Sequence, residues 1–281
     1  MSVHTAFVIG PGFVGRPLAR KLHERGHKVL AVTKTPESAA SLAAAEPFRV
    51  IAADVSRPDE LLPGSSPGVI FFCASSGRGG VEAYRAVFLE GTRNLLRRFP
   101  ESRMIFCSST SVYGQTDGST VDEDSATEPE RETGRVLLAA EQMALAEGAT
   151  VARLAGLYGP GRCVPLRKLL DGEAVVEGEG ERWLNNLHQE DAAAALLHLA
   201  GQPGSGIFNV VDNEPVRQRD WFAWVCAEVG RPLPPAGPRD LSRKRAWTHK
   251  AVSNGRLRAT GWEAVYPTFR EGLRTLIRAS G

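Results

Sequence analysis

Three glycines carry the clearest chemistry in this chain. Gly10, Gly12 and Gly15 stand in the run VIGPGFVG, a GxGxxG spacing between an apolar stretch and a segment of helical period. Gly10 permits the tight turn, Gly12 lets the backbone approach a pyrophosphate, and Gly15 lets the helix pack close to the strand. The helix start adds oriented amides and partial positive charge, with Phe13 and Val14 beside the phosphates. A glycine-rich turn without a ligand has the same letters, but here strand, helix and second strand follow at the distances that dinucleotide binding requires.

Cofactor choice is read at the end of the second strand. An NAD site would place a carboxylate there to accept bonds from the ribose diol. This chain has Thr33, Lys34 and Thr35 instead, with Glu37 the nearest acid, in the first turn of the next helix. Lys34 can neutralise a 2'-phosphate and the hydroxyls can donate to it, so NADP(H) is expected over NAD(H); a solvated lysine is the plain alternative.

Those residues need a scaffold. Apolar runs at 4–9, 28–33, 48–52, 68–73, 103–108, 150–154 and 207–211 alternate with helical segments at 81–99, 130–148 and 190–200. That pattern predicts an α/β fold: a Rossmann doubly wound parallel sheet with a small C-terminal substrate lobe. The dinucleotide-binding domain is expected over 1–155 plus about 188–211, and the lobe over 156–187 and 212–281, with a polar loop at 177–182 and a last helix at 267–278. A cleft should lie between the two.

With 281 residues, 42% apolar and 23% charged, the chain has ordinary globular composition. Its 34 basic and 32 acidic side chains nearly balance, and without a basic stripe interleaved with aromatics a nucleic-acid partner is not expected. The basic run Arg243, Lys244, Arg245 reads as a solvated loop. Cys73, Cys107, Cys163 and Cys226 lack CxxC spacing, and no metal constellation is expected among the histidines, cysteines and acids. There is no run of membrane-spanning length and no leader signature, so a cytoplasmic protein acting on a small molecule is expected.

Several further segments, AADV ending at Val55, EGTRNLL, CSSTSVYG, RLAGLYGPGR, NNLHQED and FNVVDNEP, span nearly the whole chain. Together they resemble the extended, epimerase/dehydratase-like branch of the short-chain dehydrogenase/reductase superfamily and its atypical members. The resemblance implies that Asp54 and Val55 contact the adenine, that Ala74 and Ser75 run past the cofactor, and that Leu157 approaches the nicotinamide. It also implies that Ser109 polarises the substrate, and that the helices at 81–99 and 130–148 pair as the seam of a homodimer. For Asp54, capping the following turn is the other reading.

One departure is chemical. In the family a Tyr, followed four residues later by a Lys, supplies acid and base; here, in ETGRVLLAAEQ, those positions hold Thr133 and Leu137. Neither side chain can share a proton near neutral pH or bind the nicotinamide ribose, so ordinary ketone chemistry is in doubt. Tyr113 is a candidate replacement acid, against a packing role in its VYG turn, and His188 is a weaker one beside a helix start. Tyr158, Arg162, Arg182 and Trp183 are expected to line the cleft. An NADP(H)-binding oxidoreductase or epimerase-like enzyme is the leading expectation. A nucleotide-sugar epimerase/dehydratase and a dinucleotide sensor without catalysis are the alternatives.

Overall fold

The computed structural model describes residues 5–57, 66–77, 79–239 and 247–280. Its centre is a sheet of seven strands, β1 (Thr5–Ile9), β2 (Lys28–Thr33), β3 (Arg49–Ala52), β4 (Val69–Phe72), β5 (Arg103–Ser109), β6 (Thr150–Leu154) and β7 (Gly206–Val210). All pairings are parallel, and the strand order is β7-β6-β5-β4-β1-β2-β3. Parallel strands covered on both faces read as unbroken apolar runs. Ala6, Phe7, Val8 and Ile9 of β1 are accordingly all buried. The chain moves outward from β1 to β3, then crosses back to β4, which opens a crevice between β1 and β4 at the carboxyl ends of the strands.

Helices on both faces close the core. Gly15–Glu24 turns Leu18, Ala19 and Leu22 onto the sheet. Pro36–Ala45 begins with a proline in its first turn and a Thr35 hydroxyl that accepts from the Ser38 amide, the usual chemistry of a helix start. The expected helix at 81–99 is present but not uniform: Val81–Tyr84 runs into a π-helical turn, Arg85–Glu90, before α-helix resumes over Gly91–Arg98. Phe88, in the widened turn, packs against Phe72 and Phe106. Glu132–Ala146 buries Val136, Leu137, Ala140, Glu141 and Ala144.

A second apolar cluster, built on Tyr158, Leu166, Trp221, Phe222, Phe269 and Leu273, lies beyond the sheet's carboxyl edge. The helices Val164–Leu170, Gln218–Val229 and Phe269–Ser280 supply it. Short strand pairs tie it down: Gly156–Tyr158 with Asn186–His188, Val176–Glu177 with Ala236–Gly237, and Trp183–Leu184 with Val216–Arg217. The polar loop expected at 177–182 is corrected at its first residue. Glu177 is buried, accepting from Trp247 Nε1 at 3.1 Å and pairing with Arg182 at 3.3 Å. Val252, Leu257 and Trp262, expected in the lobe, pack instead into the larger core, because Ala251–Val252 pairs with Thr120–Val121. The basic run 243–245 lies outside the described residues.

Candidate active site

The phosphate turn has the geometry that its glycines suggest. Gly10 has φ +81°, and a Cβ there would lie 2.5 Å from the Ala74 Cα; one on Gly15 would run into the Gly10 carbonyl oxygen. At Gly12 a Cβ would meet nothing within 4 Å. Gly15 thus serves packing of helix on turn, while Gly12 faces open space. The helix start at Gly15 has no capping side chain and no acid in its first turn, which leaves its amides and partial positive charge for an anion. A cradle that a side chain would fill, next to an uncapped helix start, fits a dinucleotide pyrophosphate.

This turn opens onto a cleft of 1120 Å³ along the carboxyl ends of β1, β2, β4 and β5. The cleft brings together Gly10, Gly12, Phe13, Val14, Thr33, Ala74, Ser75, Ser109 and Leu157. Gly15, Lys34, Asp54 and Val55 are not part of its wall. Lys34, at the exposed end of β2, pairs with Asp54 Oδ2 at 3.0 Å. Asp54 Oδ1 accepts from the Ser56 amide and hydroxyl at 3.0 and 2.7 Å, so its turn-capping role is real. Burial alone would raise the Asp54 carboxyl, but the hydrogen bonds from Ser56 and Lys34 hold it below the ordinary range. Val55 is buried, and its carbonyl accepts from Asn94 Nδ2 at 3.0 Å. Glu37 lines the same cleft.

A second cleft, of 390 Å³, runs between the sheet edge and the second apolar cluster, and shares Ser111, Leu157 and Arg162 with the first. Tyr158, Arg162, Arg182 and Trp183 all line it. The Arg162 guanidinium stacks over the Phe13 ring at 4.8 Å, joining the lobe to the phosphate turn. Ser109 is buried at the wall of the dinucleotide cleft, and its hydroxyl accepts from the Ser111 amide at 3.2 Å, leaving its own proton to donate. Thr133 and Leu137 line a small recess that shares Ser111 with both clefts, and Leu137 also lines the dinucleotide cleft.

Tyr113 requires correction. Its ring is fully buried behind the site, its phenol donating to Asn209 Oδ1 at 2.9 Å and accepting from Arg153 Nη1 at 2.8 Å. Arg153 pairs in turn with buried Glu141 at 2.7 Å, which accepts from the Ser108 hydroxyl. Burial pushes the phenol's pKa up, and neither cleft reaches it. It braces β5, β6 and β7 from behind the clefts. His188 is also structural: Nδ1 accepts from the Glu190 amide at 3.3 Å to cap a helix, and burial holds the ring's pKa down at about 4.

Sequence reasoning passed over two features. The Cys73 and Cys107 sulfurs lie 3.4 Å apart in the wall of the dinucleotide cleft; the hydrogen bond shared with Cys73, together with burial, pushes the Cys107 thiol up. Lys250, in the second cleft, is 3% exposed, and its Nζ donates to the Tyr113 carbonyl oxygen at 2.8 Å. Nothing local marked it, since its surroundings are assembled from distant segments. Among the described residues no group of three or more His, Cys, Asp or Glu could hold a metal ion, and no helix is long and apolar enough to cross a membrane.

With this geometry in view, the comparisons are decisive. The family model for the NAD dependent epimerase/dehydratase family matches residues 6–210. The chain belongs to that family. Protein YeeZ of Escherichia coli (strain K12) is 32% identical over 214 residues, covering 72% of this chain and 76% of its own. A 3-diazoavenalumate denitrifying reductase of Streptomyces sp is 27% identical over 297 residues, with 93% and 96% covered. The solved structure of a Methylobacillus flagellatus protein is 28% identical, has a TM-score of 0.79 and covers 99% of both chains. The matched stretch includes the phosphate turn Gly10–Gly15, Ser109, Thr133 and Leu137.

Proposed function

We propose that this family member is an NADP(H)-dependent reductase of a small molecule, with Ser109 as the polarising donor. The carrying observation is the junction of the clefts: the cradle at Gly12 leads along the strand ends to Ser109 and Leu157, where a separate 390 Å³ space opens under the lobe. A bound dinucleotide would supply hydride there. The chain's own part is to hold the pyrophosphate on the turn, to orient the substrate and to offer the Ser109 hydroxyl to charge developing on the acceptor atom. A substrate that takes hydride without a phenolic acid suits the loss of Tyr and Lys. A reductase among the relatives, with 93% of this chain covered, supports reduction over epimerisation.

The NADP(H) preference rests on Lys34 at the end of β2 and on the Thr33, Ser38 and Ser41 hydroxyls of the cleft. NAD(H) is the second reading, favoured by Glu37 in the same wall and by the Lys34–Asp54 pair, which already occupies the lysine's charge. The division into a dinucleotide domain and a substrate lobe, a cytoplasmic location and a homodimer through the helices at 81–98 and Glu132–Ala146 belong to the same proposal. Calorimetric titration with NADPH and NADH, followed by NADPH oxidation over a panel of small electrophiles, tests it. Failure to bind either dinucleotide would refute the reading, and tight binding with no turnover on any member of the panel would favour a sensor.

A further inference from the structure

The wall of the second cleft is rich in hydrogen-bond donors and poor in acceptors. Arg162, Arg182, Asn186 and Lys250 line it, and among the described residues no Asp or Glu does. An ammonium carries three N–H donors, and Lys250 spends one, on the Tyr113 carbonyl oxygen. Among the described residues no carboxylate pairs with it. The charged group that faces it is Arg182, itself committed to Glu177 at 3.3 Å and to the Thr248 carbonyl at 3.2 Å. His249, next in the chain, directs Nδ1 to the Trp183 amide and Nε2 toward Arg217. The Asn186 Nδ2 is buried in the same wall with no acceptor.

A buried cation without a counter-charge is costly, yet the fold enforces this one. Asn185 donates to the Lys250 carbonyl at 2.9 Å and accepts from the Val252 amide at 2.8 Å, and Ala251–Val252 pairs with Thr120–Val121. The backbone on both sides of the amine is thus fixed at the cleft. Unspent donors of this kind point to an acceptor supplied by the ligand. Leu157, Val164, Pro165 and Leu273 add apolar surface to the same wall, beside the neutral Thr110, Ser111 and Thr248 hydroxyls.

We propose that Lys250 anchors the anionic group of the substrate, and that the cleft takes a small organic carboxylate, with Asn186 as a neutral donor and the apolar side chains against the ligand's body. This rests on reading the cleft as the substrate site. A single uncompensated ammonium balances one negative charge, and 390 Å³ lies near the lower end for ligand pockets, which suits a compact monocarboxylate better than a nucleoside diphosphate.

The test uses the full chain saturated with NADPH, titrated by calorimetry with 1-naphthoate, with its uncharged partner 1-naphthamide and with UDP. Naphthoate should bind at least about tenfold tighter than naphthamide, the scale of one charge-assisted hydrogen bond. Lys250→Met should remove that advantage while leaving NADPH affinity unchanged, and Asn186→Ala should reduce it several-fold. Should Lys250→Met not fold, the naphthoate-to-naphthamide ratio in the parent and in Asn186→Ala decides. Equal binding of acid and amide, no binding of naphthoate, or UDP binding that depends on Lys250 would each overturn the inference. If NADPH binds and naphthoate does not, this inference falls and the reductase reading stands; if NADPH fails to bind, it is the reductase reading that falls.

Discussion

Replacing Gly12 with Val separates the two jobs of the phosphate turn. A Cβ at Gly12 meets nothing within 4 Å and its φ is not positive, so the fold admits a side chain there at little cost. The isopropyl group would occupy the space beside the uncapped helix start, where a pyrophosphate takes its hydrogen bonds. Losing two charge-assisted bonds at about 1.5–3 kcal/mol each removes about 3–6 kcal/mol, or about 10²- to 10⁴-fold in dinucleotide affinity. Gly15→Ala is the control with the opposite signature: its methyl would press on the Gly10 carbonyl, and overpacking of this kind costs about 1–3 kcal/mol, enough to lower Tm by several degrees. Calorimetric titration and a thermal melt on both variants check this. A Gly12→Val protein that melts early, or that binds NADPH as the parent does, would refute the assignment.

Three other outcomes follow from the geometry. Lys34→Asp should shrink or invert the NADPH-to-NADH affinity ratio several-fold, measured on both dinucleotides; an unchanged ratio would remove Lys34 from cofactor choice. Ser109→Ala should lower turnover on an identified substrate by about 10- to 1000-fold, whereas Thr133→Ala and Leu137→Met should cost little; loss of activity in Thr133→Ala would show that the threonine handles the proton. Burial, with Arg182 nearby, pulls the Lys250 amine down from 10.5 to about 7 in the fold. The unfolded chain therefore binds more protons between those values, so stability should rise from pH 7 toward 10.5, with the burial penalty, a few kcal/mol in order of magnitude, fully present below pH 7. Denaturant midpoints at pH 7 and 9.5 should show that rise in the parent and a smaller one in Lys250→Met; equal rises would place the titration elsewhere.

What the letters disclosed depended on how local the cause was. β2 and β6 coincide with the runs at 28–33 and 150–154, because strands covered on both faces are mostly apolar along their length, even where Arg153 interrupts β6. The glycine turn was legible for the same reason: Gly10, Gly12 and Gly15 act within one strand–turn–helix unit. The π-turn at Arg85–Glu90 was not: its Phe88 meets Phe72 and Phe106 from two other strands, a packing that a local reading does not contain. For Tyr113 a replacement acid and a packing role both stayed open, because Arg153 and Asn209, 40 and 96 residues away, are invisible to a local reading. Lys250 carried no local signal, because its place at the cleft depends on Asn185 and on a strand pairing with Thr120–Val121.

Those strand pairings have a consequence for how the protein can be taken apart. The segments over the cleft are not a module inserted at one point: Ala251–Val252 is hydrogen-bonded beside Thr120–Val121, Asn186–His188 beside Gly156–Tyr158, and Ala236–Gly237 beside Val176–Glu177. Each stitch joins stretches that ribosomal synthesis delivers far apart in time, so the cleft can close only after the last quarter of the chain has emerged. A single crossover just before Gly156 would part Ala251–Val252 from Thr120–Val121, and one between residues 178 and 185 would part all three pairs, so a chimaera would have to exchange both partners of each pair to keep a working pocket.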